Sequence, residues 1–330
     1  MILGQVAFYL NVLTVGVLSL WLSLVFIGII LLLFHDGLTA FTASAKRRVL
    51  WFVVLTPWLV AVMATFALMT PARLDPHANG FIATLVHWHH AYTFSLTSWH
   101  GLTTALFSSV FIFGVFRRAF QVRKSLHRLE LLAHFSTSDE QTVEFSEGNR
   151  FSTIESSVPQ AFTTGLLQPR CYVTTGLREG VSAAEYTIIQ LHEQAHRQRF
   201  DPLKKLLFAF FGSFFPRVIA ERLNAAMELA MEQCADEAVL NTGKEASIIA
   251  KTLIKVTRLT MAHTPKQASV QPACGFLTPQ LDERVAYLMR EQKGRAFPVV
   301  IAPCLFALIT VACLFSVDTL HHVIEQFFTH

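Results

Sequence analysis

The sequence predicts a mainly α membrane protein: four transmembrane helices attached to an α+β domain with a small β-sheet. Three observations predict it. Hydrophobic residues make up 52% of the 330, Phe alone contributes 29, and mean hydropathy is +0.44, too apolar for an ordinary water-soluble protein. Four stretches are long, apolar and nearly free of charge. Between the third and fourth lies a region of ordinary polarity, with strand-like and then helix-like patterns. The net charge of +4 identifies no partner. The five cysteines have no paired spacing, which argues against a disulfide framework or a thiolate metal site.

Residues 6–34 are uncharged and long enough to cross about 30 Å of hydrocarbon with tilt. No basic segment precedes them, so they read as a span rather than a cleaved signal. Residues 49–69 form a second span, with Pro57 expected to kink it. Residues 92–116 form a third and 296–317 a fourth. Lys46, Arg47 and Arg48 precede the second span. Arg117, Arg118, Arg123, Lys124 and Arg128 follow the third, and Lys293 and Arg295 precede the fourth. The positive-inside rule puts all three clusters in the cytoplasm. Loop 70–91 and tail 318–330 then face outward, and 117–295 face inward. Four spans alternate without conflict. The outward loop carries His77, His87, His89 and His90 beside Trp88 and Tyr92. It reads as an interfacial aromatic belt with incidental histidines, or as a metal- or pH-sensing loop.

Within the inward region, 117–135 read as a basic helix leaving the membrane and 136–149 as a loop or weak strand. Residues 151–177, rich in Thr, Val, Phe and Ile and broken by Pro159, Gly165, Pro169 and Gly176, read as short strands. Segments 162–167 and 171–174 are candidates for a sheet edge that an extended peptide could join. A helix over about 181–200 opens with Ser182 and Glu185, a capping box, and Pro202 stops it.

That helix carries His192-Glu193-Gln194-Ala195-His196. Residues i and i+4 lie about 40° apart around a helix, so both imidazoles can bind one metal ion. Glu193 beside them is placed to take a proton from water. A polar helix with two surface histidines is the bland alternative. Within residues 203–220 the uncharged run 206–215 is too greasy for a water-facing surface and too short to cross. The stretch reads as an interfacial or re-entrant segment, or as a buried core helix. On the next helix Glu228, Glu232 and Asp236 recur at i, i+4 and i+8. Two histidines leave zinc one protein ligand short. Glu232 is the expected third, with Glu228 in reserve, and Asp236 is expected to orient a ligand histidine. An acidic solvated stripe is the alternative for these carboxylates.

These residues resemble the BlaR/MecR-type antirepressor family of membrane zinc metallopeptidases. The resemblance rests on H-E-x-x-H continued by Arg199 and Asp201, on E-x-x-A-D at Glu232 to Asp236, on 162–177 ahead of the motif, and on 281–288 with Arg284. It implies a gluzincin-like metalloendopeptidase domain in the cytoplasm of a multi-pass bacterial inner-membrane protein. One zinc ion would be held by His192, His196 and Glu232. Glu193 would be the catalytic base, and Asp236, Arg199 and Asp201 would support the ligands. Arg199 and Tyr172 are the candidate oxyanion donors. The family implies a signal transducer that cleaves itself, a BlaI/MecI-type repressor, or both, with no direct nucleic-acid contact. Membrane lipid, a second copy or a separate sensor are the further partners. The β-lactam sensors of the family carry a C-terminal penicillin-binding domain with S-x-x-K. Here no serine has Lys three residues on, so direct covalent sensing is not expected. The alternatives are an HtpX-like quality-control protease, which also uses E-x-x-A-D, and a non-proteolytic receptor with a structural zinc site.

Overall fold

The computed structural model describes residues 1–33, 40–69, 92–136, 142–145, 149–263, 274–275, 280–290 and 294–328. The histidine-rich loop 70–91 lies outside these residues. Helices dominate. α1 (Gln5–Leu33) and α2 (Ala43–Met69) are long and apolar enough to cross a membrane. They pack along each other so closely that a Cβ on Gly16 would come within 2.6 Å of the Thr65 methyl. α2 begins six residues before the predicted span, taking in the basic cluster, and runs unbroken through Pro57.

The third and fourth apolar stretches differ from expectation at their ends. Thr93–Phe94 (β2) is a strand that pairs with Ile2–Leu3 (β1), so α3 starts only at Trp99 and continues to Ser136. α10 covers Ile301–Phe328, well beyond the predicted end at 317. The apolar stretches inside them, Gly101–Arg117 and Ile301–Val317, are shorter than those of α1 and α2.

The α+β part is built on a five-stranded sheet ordered β3-β4-β6-β5-β7: Thr142–Phe145, Asn149–Ile154, Arg170–Thr174, Ala161–Thr164 and Cys274–Gly275. β4 and β6 are parallel and the other neighbours antiparallel. A short helix α4 (Thr175–Gly180) leads to α5 (Ala183–Arg199), then α6 (Asp201–Gly212), α7 (Arg217–Leu240), α8 (Ala246–His263) and α9 (Leu281–Leu288).

Two apolar cores result. One joins Leu20, Leu24 and Ile27 of α1 and Leu50, Val54 and Val60 of α2 to Phe208, Ile219, Leu223, Met227 and Met231. The other packs Phe151, Cys171 and Val173 of the sheet against Ile188, Ile189, Val239, Ile249 and Leu253. α7 contributes to both, and at about 1.5 Å per residue its 24 residues reach about 36 Å. Segment 203–220 is a helical hairpin that breaks at Ser213–Pro216 and packs its aromatic side on the apolar helices. Trp51 meets Phe208 at 5.4 Å between ring centres, and Trp58 meets Phe211 at 5.5 Å and Phe214 at 5.1 Å.

Tyr287 ties these parts together. Its hydroxyl donates to Glu237 Oε1 at 2.6 Å and accepts from the N–H of Ala43, the first residue of α2, at 3.0 Å. Tyr287→Phe removes both bonds and keeps the ring. It should cost about 1–3 kcal/mol, read as a lower melting temperature; an unchanged melt would show the tie to be energetically idle.

Candidate metal centre

The motif helix forms for local reasons. Ser182 Oγ accepts from Glu185 N–H, and Glu185 Oε2 accepts from Ser182 N–H, so both sides of the capping box are made. Pro202 does not act as the stop by itself. Phe200 turns into the left-handed region at φ 55°, ending α5, and the proline sits in the first turn of α6.

α5 presents His192, Glu193 and His196 inward, each at most 1% exposed. Glu232, 3% exposed, faces them from α7. His192 Nε2 and His196 Nε2 lie 3.1 Å apart, and Glu232 oxygens stand 3.3 Å from the first and 3.5 Å from the second. Asp236 Oδ1 lies 3.0 Å from His192 Nδ1, and Asp201 Oδ2 lies 2.8 Å from His196 Nδ1. A carboxylate can only accept, so each Nδ1 carries the proton and each Nε2 turns a lone pair toward the other and toward Glu232. In the neutral rings, three groups able to give an electron pair to a metal thus converge at contact distance. A cation is what relieves that arrangement, so the donor set fits a metal ion.

Arg284 closes the back of the site. It is fully buried in α9. Its Nε and Nη2 donate to Asp236 at 2.9 and 2.7 Å, and its Nη1 lies 3.0 Å from Glu232 Oε2. One guanidinium thus holds the third candidate ligand and the carboxylate that orients His192. For the side chains alone, burial pulls Glu232 upward, but Arg284 and the two histidines outweigh it and hold the carboxyl well below its ordinary range. Burial likewise opposes a charged His192, yet Asp236 and Glu232 raise its pKa overall. The pocket therefore attracts positive charge.

Glu193 is held from the sheet. The Thr163 hydroxyl of β5 donates to Glu193 Oε2 at 2.7 Å and lies 3.1 Å from the main-chain oxygen of Glu193. Cys171 of β6 donates its weaker S–H to that same oxygen at 3.6 Å. Glu193 Oε1 is buried with no hydrogen-bond partner among the described residues. Burial pushes the carboxyl upward, against the pull of both histidines and Thr163. A desolvated carboxylate with one oxygen anchored and one unengaged is suited to exchanging a proton. Thr163→Val should leave metal content unchanged and lower kcat about 10-fold to 100-fold, the worth of a hydrogen bond to a charged group; a loss confined to KM would refute the anchoring role.

The other expected residues fall as follows. Glu228 is taken up by Lys205 at 2.7 Å on the surface, away from the histidines. Asp201 has its place on His196, and Asp201→Asn should weaken metal affinity about 10-fold to 100-fold, read by competition with a chelator; unchanged affinity would dismiss it. Arg199 makes no hydrogen bond to the histidines or carboxylates of the site among the described residues. Tyr172 is not an oxyanion donor in this arrangement. Strand alternation sends Cys171 and Val173 toward α5, and Tyr172 stacks on Phe162 at 5.4 Å on the opposite face. Segment 171–174 is also not an edge, because β4 and β5 flank it on both sides. Nor is 162–164 of the other candidate a free edge: β5 has β6 on one side, and on the other Cys274–Gly275 pairs with Phe162 and Thr163, antiparallel.

Thr163 and Arg284 are the site residues whose contacts the sequence did not give. Arg284 left a trace: it occupies the apolar side of a short helix with Leu281, Val285 and Leu288, where an unpaired cation would be costly.

Two apolar helices of membrane-crossing length and a buried His-Glu-x-x-His helix facing a carboxylate define a membrane-type metallopeptidase. Comparison with protein families agrees: the BlaR1 peptidase M56 family matches residues 15–288, and the chain belongs to it. No curated protein matches the sequence at a significant level.

Proposed function

We propose that the chain is a regulatory zinc metalloendopeptidase that cleaves itself, a BlaI/MecI-type repressor, or both. The observation that carries the peptidase reading is the buried convergence of His192, His196 and Glu232 beside Glu193, under β5. Two imidazoles and one carboxylate are a donor set that suits one zinc ion. Zinc bound there supplies Lewis acidity toward a peptide carbonyl and makes water a better nucleophile. The protein's own groups do the rest. Asp236 and Asp201 keep the Nδ1 protons in place, so that both Nε2 atoms remain donors. Arg284 sets a positive charge 3.0 Å from Glu232 Oε2 and so keeps that carboxylate ionised. Glu193 takes a proton from water at Oε1 and returns it to the leaving amine, while Thr163 holds Oε2. In the place that Cys274–Gly275 takes in this structure, β5 can align an extended peptide by main-chain hydrogen bonds.

Self-cleavage is supported by the seat of Cys274–Gly275. This segment occupies the edge of β5 at Thr163, the residue that anchors Glu193, in the antiparallel sense in which a peptide joins a sheet. The chain's own segment 264–279, which contains Cys274–Gly275, is therefore the first substrate to test. The reading also keeps four spans in the bacterial inner membrane, the first two at about 6–34 and 49–69, with the third starting at Trp99 and the fourth at Ile301. Residues 117–295 face the cytoplasm, and a sensor partner or second copy supplies the signal.

The test is to incubate the purified full chain with zinc, with and without a BlaI/MecI-type repressor, and to sequence the new termini. A cut within 264–279 or in the repressor is expected. Broad digestion of unfolded proteins would favour the quality-control reading. One zinc per chain with no cut in any of these would leave a structural metal.

A further inference from the structure

Three cations gather where α2 meets α6, just after the end of the motif helix. α2 and α6 run side by side in the same direction: Trp51 packs on Phe208, and a little further along each helix Trp58 packs on Phe211 and Phe214. Arg47 stands one turn before Trp51, and Lys204 one turn before Phe208. Arg199 ends α5, just ahead of the turn into α6. All three side chains are half-buried. None is in an ion pair among the described residues, although Lys205, next in the chain, pairs with Glu228.

The ordinary account of basic residues at the end of a span is that they reach water or headgroups freely. That does not describe these. Arg47 Nη1 and Arg199 Nη1 are both sealed from solvent, and neither has a hydrogen-bond partner among the described residues. Burial and the positive charges of Arg47 and Arg199 lower the Lys204 pKa against the pull of Asp201; burial raises the Cys234 thiol of α7, where the same two guanidiniums are opposed by Glu237 and Asp201. Asp201 is the counter-charge acting on Lys204; its Oδ2 meets His196, and its buried Oδ1 has no hydrogen-bond partner among the described residues. The chain has thus brought like charges together and left donors unmet, an arrangement that an anion with several acceptor oxygens would complete.

Depth selects the anion. On one side of the cluster α2 and α6 turn wholly apolar and aromatic; on the other lies the polar domain. That is the level of lipid headgroups if α2 crosses the bilayer. A guanidinium presents a planar fork to phosphate oxygens, and Lys204 adds a point charge.

We propose that Arg47, Arg199 and Lys204 form a binding site for the phosphate group of a membrane phospholipid, at the junction of α2 with α6, next to the end of the helix that carries both histidines. The bound phosphate draws together α2, α5 and α6. Asp201, between Arg199 and Lys204 in sequence, connects that junction to His196.

The test uses the full chain in detergent, stripped of lipid, with zinc content as the check of an intact site. Phosphatidylglycerol is titrated in and bound lipid per chain is counted by native mass spectrometry, with inorganic phosphate in a parallel arm. One tightly held phosphatidylglycerol is expected. Arg47→Gln with Arg199→Gln should weaken it about 25-fold, taking about fivefold for each cation at a membrane surface. Arg47→Lys, which keeps the charge and loses the fork, should weaken it less. Equal lipid binding by parent and double variant would overturn the proposal. So would binding of inorganic phosphate with no lipid retained, or of neither. Should the double variant lose its zinc, the parent decides the matter: phosphatidylglycerol must raise its melting temperature above that in detergent alone, and no shift overturns the proposal.

Discussion

Glu193→Gln should lower cleavage about 10²–10⁴-fold while the chain still binds one zinc ion. Glutamine keeps the shape of the side chain and an oxygen to accept the Thr163 hydroxyl, which now meets Glu193 Oε2 at 2.7 Å. It cannot accept a proton. General acid–base catalysis contributes about 10²–10⁴-fold, so kcat/KM should fall within that range with zinc content unchanged. Stability gives a second readout. Glu193 is fully buried, and burial raises its pKa, so its charged form is costly in the folded chain without metal. Stripped of zinc, the variant should melt at or above the parent. A variant that cuts as well as the parent would remove Glu193 from the chemistry. A variant that loses its zinc would make Glu193 a structural member of the site.

The parts of this centre that the sequence made legible are local. His192 and His196 share a face because helical geometry places i and i+4 together, and the signals for that helix lie within it, at Ser182 and Glu185. Glu232 and Asp236 follow from the same spacing on a second helix and meet the two ring nitrogens of His192. What stayed hidden depends on long-range register. Thr163 reads as one of several strand threonines until β5 is laid under α5, thirty residues later in the chain. The interior place of β6 depends on β4 pairing beside it in parallel, which no turn signal announces. The hairpin of α6 and α7 has an apolar run that suits an interface, a re-entrant segment or a core alike. Only the rings of Trp51 and Trp58 on the facing helix distinguish them.

Arg284 is the position where charge and folding meet most directly, and Arg284→Met tests it. The parent buries Arg284 between Glu232 and Asp236, so removing the cation leaves two desolvated carboxylates facing each other across the site. Breaking such a buried arrangement from one side costs about 3–5 kcal/mol, and the zinc-free variant should lose about that much. The metal changes the balance. Zinc at His192, His196 and Glu232 would return positive charge to the same carboxylates, so the holo variant should lose less than the apo variant. The gap between zinc-loaded and zinc-free melting temperatures should therefore widen relative to the parent. Arg284→Lys should fall between the two, because an ammonium on a flexible stem cannot hold both Asp236 oxygens and Glu232 at once. The opposite outcome has a clear meaning. If the gap narrows, orientation of Glu232 outweighs compensation of its charge, and Arg284 serves the metal chiefly by fixing where that carboxylate points.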